Sequence, residues 1–155
     1  MKFRERAVFF VATGFFIGTL PFAPGTFGSL LGLPLCFLLS RLNFLQSLIC
    51  ILIFILFAIG IASAAEKIIK RKDPGQIVID EIAGLMVALA GLPFNVKTVL
   101  AGFIIFRVFD ILKPFPIRIL ERRVGGGSGI VLDDVLAGVY GNLVVRLGIY
   151  ITGIV

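Results

Sequence analysis

Residues 103–123 read FIIFRVFDILKPFPIRILERR, and the reading of this stretch decides the fold. An apolar run of helical character carries Arg107, Asp110 and Lys113 at intervals of three. It then meets Pro114 and Pro116, which remove backbone donors and disfavour further helix. That spacing puts the three charges on one helix face. Charges in so apolar a setting line a pocket or pair with one another; the plainer alternative is an Arg107–Asp110 pair that only fixes helix packing.

Composition makes this helix a membrane segment. Over 155 residues the chain is 59% hydrophobic and only 15% charged, with a mean hydropathy of +1.10. These values exclude an ordinary soluble domain and fit one small membrane-embedded domain over residues 1–155. A pI of 9.8 would suggest nucleic acid in a polar chain. Here Lys and Arg gather in short patches between apolar runs, which suits membrane lipids with anionic headgroups; no nucleic-acid partner is expected. Cys36 and Cys50 lie inside apolar runs, and the chain has neither His nor a CxxC motif. Both cysteines read as small hydrophobes, with no disulfide framework and no zinc site.

Working outward, Ala7 to Leu20 is a fourteen-residue apolar run behind a basic head. It makes about 21 Å of helix, short of the roughly 30 Å hydrocarbon core, so an interfacial or re-entrant helix is expected. The following PFAPGTFGS (21–29) does not look like a cleavage site. Its prolines break the helix, and Thr26 or Ser29 is placed to cap the next one, leaving backbone N–H groups near Gly25, Thr26 and Ser29 for an anion. A simple capped turn is the alternative. Apolar runs start again near residues 30, 44, 82, 98 and 131. The expected fold is therefore all-α: a polytopic helical membrane protein with about five membrane segments plus the N-terminal helix.

Two further stretches carry acids at the head of apolar runs. IVIDEIAG (77–84) places Asp80 and Glu81 there, and IVLDDVLAG (130–138) places Asp133 and Asp134 there, after a GGGSG stretch (125–129) that reads as a flexible loop. One such pair can be a helix-dipole partner. Two pairs plus Asp110 suggest a hard cation such as Mg²⁺, held by carboxylates together with phosphate oxygens. Gly84 and Ala88 give the first of these helices a close-packing face.

If the N-terminal head is cytoplasmic and residues 7–20 do not cross, the five runs alternate in direction. Eleven Lys and Arg then fall inside, against Arg41, Lys97 and Arg146 outside, as the positive-inside rule requires. The same assignment brings residues 21–29, both acid pairs and the Arg107–Lys113 face to one level at the inner surface. That constellation suits metal-assisted chemistry on a phosphorylated lipid. Two other classes stay open: an ion-coupled carrier using intramembrane acids, and a non-catalytic membrane subunit that binds anionic lipid headgroups.

PFAPGTFGS, IVIDEIAG, FRVFDILKPFPI and GGGSGIVLDDVLAG, in this order between about Ala12 and Gly141, resemble bacterial phosphatidylglycerophosphatase A. The resemblance implies a magnesium-dependent enzyme of the bacterial cytoplasmic (inner) membrane, with its site facing the cytoplasm. Such an enzyme hydrolyses phosphatidylglycerophosphate to phosphatidylglycerol and phosphate. Other phosphatase chemistries lack their residues: no His for a phosphohistidine, no Cys with Arg six residues on, no DxDxT. On this reading Mg²⁺ is bound by Glu81, Asp133 and Asp134, with Asp80 a ligand or just behind one. Arg107 and Lys113 clamp the phosphate beside Gly25, Thr26 and Ser29. Asp110 either orients and deprotonates water or attacks phosphorus itself, water being preferred.

Overall fold

Local chemistry starts and stops the helices. The computed structural model describes residues 2–153, apart from the side chains of Glu121 and Arg122. Met1, Ile154, Val155 and those two side chains lie outside the described residues, and with them part of the expected basic surface around Arg122. Seven α-helices and no strand are present among the described residues: α1 (Phe3–Ala12), α2 (Pro24–Leu39), α3 (Phe44–Ile69), α4 (Ile79–Ala88), α5 (Val96–Leu112), α6 (Ile117–Arg123) and α7 (Gly126–Thr152). Asn43 caps α3 by accepting from Gln46 N at 2.9 Å, and Asn95 caps α5 by accepting from Thr98 N at 3.0 Å. Lys70 and Lys113, both in left-handed conformation, end α3 and α5.

Three local expectations are corrected. The N-terminal helix stops at Ala12 rather than running to Leu20. Thr13 Oγ1 bonds back to Phe9 O at 2.8 Å and accepts from Phe16 N at 3.2 Å, and Gly14, Phe15 and Phe16 all take positive φ, which reverses the chain before a 3-10 turn at Ile17–Thr19. Residues 24–29 are helix rather than loop, because Pro24 supplies the φ suited to a first helical position. The cap is Ala23, without a side-chain bond, so neither Thr26 nor Ser29 caps. The glycines at 126–129 are likewise the first turn of α7. Gly127 lies so close to α3 that a Cβ would strike Ile59 O and Ser63, and its N–H donates to Ser63 Oγ at 3.1 Å.

The helices alternate in direction. Gly25 meets Glu81 and Gly32 meets Ile82 and Leu85, so α2 runs parallel to α4. Gly138 meets Gly84, and Asn142 reaches Ala88 and Ala90, so α7 also runs parallel to α4. Gly102 packs on Leu89 and Phe106 on Gly84, which makes α5 antiparallel to them; α3 is antiparallel too, with Phe44 beside Gly91 and Ser63 beside Gly127. The short α4 is the inner element, with eight of its ten residues buried. At about 15 Å it does not reach across a hydrocarbon layer by itself.

The exterior is apolar. Leu45, Ile53 and Leu56 of α3, Ile104 and Ile111 of α5, and Leu143 and Leu147 of α7 all face outward. A surface of this kind suits lipid rather than water. Among the described residues two helices, α3 and α7, are long and apolar enough to cross a membrane.

Small residues let α4 and α7 touch. A Cβ on Gly138 would run into Gly84 O, and one on Gly84 would meet the Phe106 ring at 2.5 Å and Asp134 O at 2.8 Å. Gly138→Ala should therefore cost roughly 1–3 kcal/mol, read as a lower thermal unfolding midpoint in detergent. Gly148→Ala, which meets nothing within 4 Å, should keep or raise it.

Candidate active site

Four helices deliver the charged residues to one end of the bundle. The first turn of α4 supplies Asp80 and Glu81, α7 supplies Asp133 and Asp134, the last turns of α5 supply Arg107 and Asp110, and α2 supplies Gly25 and Ser29. One oxygen each from Asp80, Glu81 and Asp134 lies within 4.8 Å of the others. Asp80 and Asp134 are buried, at 8% and 3% exposure, and Glu81 is half-buried. Asp80 Oδ1, Glu81 Oε2 and Asp134 Oδ2 have no hydrogen-bond partner among the described residues.

Such a trio is costly by itself. Buried carboxylates lose hydration and repel one another, and they persist where donors or a cation offset both penalties. The donors are missing on the protein side. Arg107 is the nearby cation; its Nη1 lies 2.6 Å from Asp110 Oδ2 and 3.5 Å from Ser29 Oγ. Asp110 adjoins Asp134, and Glu81 faces both Arg107 and Asp110. Four carboxylates thus share one guanidinium, and a hard divalent ion fits the remaining imbalance and the all-oxygen donor set.

The residues group differently from the expected ligand set. Asp133 Oδ2 accepts from Lys113 Nζ at 2.7 Å, and Asp133 Oδ1 accepts from the Asp134 N–H at 3.1 Å. The structure therefore brings Asp80 together with Glu81 and Asp134, and sets Asp133 apart in an ion pair. Lys113 turns toward that pair because it ends α5 in a left-handed conformation, leaving the helical spacing that placed it beside Arg107.

The loop cradle also differs. The N–H groups of Thr26 and Phe27 donate to Ala23 O at 3.0 and 3.2 Å, closing the first turn of α2. Ser29 is fully buried and donates to Gly25 O at 2.8 Å. Gly25 is required where it stands, since a Cβ there would strike Glu81 Oε1 and lie 2.9 Å from Arg107 Nη2. Its role in the geometry is to let α2 close over the Glu81–Arg107 contact.

A cavity of about 370 Å³ borders the site, lined by Glu66, Lys72, Asp73 and Asp133 with the glycine-rich start of α7. A larger one of about 820 Å³ lies at the other end of the bundle, around Cys36, Met86, Asn142 and Arg146. It is mostly apolar and far from the carboxylates, so its size does not make it the reaction site.

The sequence model of Phosphatidylglycerophosphatase A matches residues 10–149. The chain belongs to the phosphatidylglycerophosphatase A family. It is 39% identical to Phosphatidylglycerophosphatase A of Escherichia coli over 130 residues, which cover 83% of this chain and 76% of the relative. It is 41% identical to the Haemophilus influenzae protein of the same name, covering 87% and 84%. A Bacteroides thetaiotaomicron protein named "Putative phosphatidylinositol-3-phosphatase" is 38% identical, covering 92% and 94%. No solved structure matches. The matched region of this family member spans all four stretches that carry the site.

Asn142 escaped the sequence reading, and Arg146 entered it only as a charge on the outer side. Asn142 and Arg146 bond to the end of α4, and their four-residue spacing on one helix face was the available signal. At the Lys113–Asp133 pair, Lys113→Met should cost about 3 kcal/mol by leaving a buried carboxylate without its counterion. The double variant Lys113→Met/Asp133→Asn should regain much of that loss, as measured by thermal unfolding in detergent.

Proposed function

We propose that the protein is a divalent-cation-dependent lipid phosphatase that converts phosphatidylglycerophosphate to phosphatidylglycerol and phosphate. The observation that carries this reading is the buried Asp80–Glu81–Asp134 trio with three unpartnered oxygens, beside an arginine whose Nε is also buried and unpartnered. Family membership supplies the substrate class, through the names of the Escherichia coli and Haemophilus influenzae relatives.

Asp80, Glu81 and Asp134 would hold Mg²⁺, and when bound the ion neutralises charge on the phosphomonoester oxygens. Arg107 supports the phosphate with its remaining donors, a fork suited to two oxygens at once. Asp110, oriented by Arg107, takes a proton from the attacking water as the new oxygen–phosphorus bond forms. The bond from phosphorus to the glycerol oxygen then breaks, and that oxygen leaves as a hydroxyl after receiving the proton. Lys113 and Asp133 sit at the rim as a mutually neutralising pair.

In this reading the bundle lies in the bacterial inner membrane with α2, α3, α4, α5 and α7 as five alternating segments, the short α4 enclosed by the others. Lys67, Lys70, Arg71, Lys72, Lys113, Arg118 and Arg123 belong to the site end, and Arg41, Lys97 and Arg146 to the opposite end. This bias supports a cytoplasmic active site.

Phosphate release by purified protein from phosphatidylglycerophosphate in mixed micelles tests the activity. Release should stop with chelator and return with Mg²⁺. Asp80→Asn, Glu81→Gln, Asp134→Asn and Arg107→Lys should each lower kcat/KM by roughly 100-fold or more without loss of the folded state. Metal-independent release, or full activity in the three carboxylate variants, would refute the site. A parallel arm with phosphatidylinositol 3-phosphate, motivated by the Bacteroides relative, measures how far lipid phosphomonoesters are discriminated.

Water attack leaves no covalent phosphoenzyme. Hydroxylamine or borohydride treatment during turnover should therefore leave Asp110 unmodified in peptide mass spectra, and a labelled Asp110 would assign it the nucleophile's role.

A further inference from the structure

The helix that carries two of the three clustered carboxylates is short, and its far end is tied down by side chains of another helix. α4 has ten residues and ends at Ala88 with Leu89 as its cap, and the carbonyls of a last helical turn lack their full set of intrahelical donors. Beyond the Leu89 and Ala90 N–H groups, which donate to Leu85 O and Val87 O, the carbonyls at this end are met from α7. Asn142 Nδ2 donates to Val87 O at 3.3 Å, to Ala88 O at 3.0 Å and to Ala90 O at 3.0 Å. Arg146 Nη2 donates to Ala90 O at 2.8 Å, and Arg146 Nε donates to Asn142 Oδ1 at 2.7 Å, which fixes the orientation of the amide. The guanidinium charge also sits at the negative end of the α4 dipole.

The same α7 that clamps the foot of α4 carries Asp134, eight residues before Asn142. Between foot and head the two helices approach closely at Gly84 and Gly138, where a Cβ on Gly138 would strike Gly84 O and lie 3.1 Å from Val87 Cβ. That approach fixes the distance between the helices. The polar bonds at the foot hold their axial register, and the register sets where Asp80 and Glu81 stand relative to Asp134.

We infer that Asn142 and Arg146 are positioning residues for the cation site: by fastening the C-terminal end of α4 to α7, they set the spacing of the Asp80, Glu81 and Asp134 oxygens at the other end. This rests on the proposed reading of that trio as a cation site. Among the described residues no acid lines the 820 Å³ cavity that Asn142 and Arg146 border, and the arginine's hydrogen-bond partners there are a carbonyl and an amide.

The test is Mn²⁺ affinity of the purified full chain in detergent, read from the free-ion electron paramagnetic resonance signal and independent of turnover. Asn142→Ala should weaken affinity by about 10-fold or more, in the range found when groups that orient metal ligands are removed. Arg146→Met should weaken it by a smaller factor, Arg146→Lys should restore it, and Gly148→Ala, further along α7, should leave it at the wild-type value. Should Asn142→Ala fail to fold, Arg146→Met and Arg146→Lys decide the matter. Wild-type affinity in the variants that remove foot bonds would overturn the inference while leaving the cation reading intact. Absence of Mn²⁺ binding by the wild-type protein would overturn the cation reading and this inference with it.

Discussion

Like charges forced together in a poorly hydrated place are the constraint on which this architecture depends. Asp80, Glu81 and Asp134 approach within 4.8 Å of one another, and nothing in their own chemistry favours that meeting. The folding free energy that holds them there comes from elsewhere, chiefly from apolar burial and close helix contact around α4. Native proteins have only a narrow stability margin, so a site of this kind requires a scaffold whose contacts leave little slack. The glycines at 25, 84, 127 and 138 supply that closeness: each removes a side chain where one helix backbone or charged group must come against another.

Electrostatics divides the charged residues into two sets with different demands. Lys113 and Asp133 pair at 2.7 Å, and the other Asp133 oxygen accepts from the Asp134 N–H. Arg107 and Asp110 also pair, yet the arginine keeps a buried Nε without a partner, and the adjoining trio keeps three oxygens in the same state. A structural ion-pair network would use up its donors and acceptors. Here the unused ones converge, which supports the proposed cation site over the plain packing pair that the Arg107–Asp110 spacing also allowed.

Most of the architecture was legible from residue patterns. Apolar runs of helical length bounded by Pro, Asn and Gly gave the helices, since in lipid the backbone must satisfy itself within each segment. Errors fell where local rules compete. PGTFGS and the glycines at 126–129 look like loops by composition, but a first helical turn tolerates Pro at its start, and glycine there permits a helix crossing that larger residues would block. Residues 13–20 look helical by hydropathy, but the Thr13 hydroxyl and a run of positive φ values reverse the chain.

By itself the sequence determined the all-helical fold, the apolar exterior and which acids and bases stand near helix ends, because hydropathy, spacing and helix-breaking residues are properties of local chain chemistry. The partnership among those charges was decided only by tertiary structure. Lys113 stands three residues from Asp110, yet it pairs with Asp133 across twenty residues. Asp80 joins Asp134 rather than a sequence neighbour beyond Glu81. Adjacent acids in a helix point about 100° apart, and in α7 it is Asp134 that meets the α4 acids and Asp133 that meets the lysine. Which of the two meets which partner depends on how α7 lies against α4: the close approach at Gly84 and Gly138 sets the distance and the bonds of Asn142 hold the foot, and no local pattern encodes either.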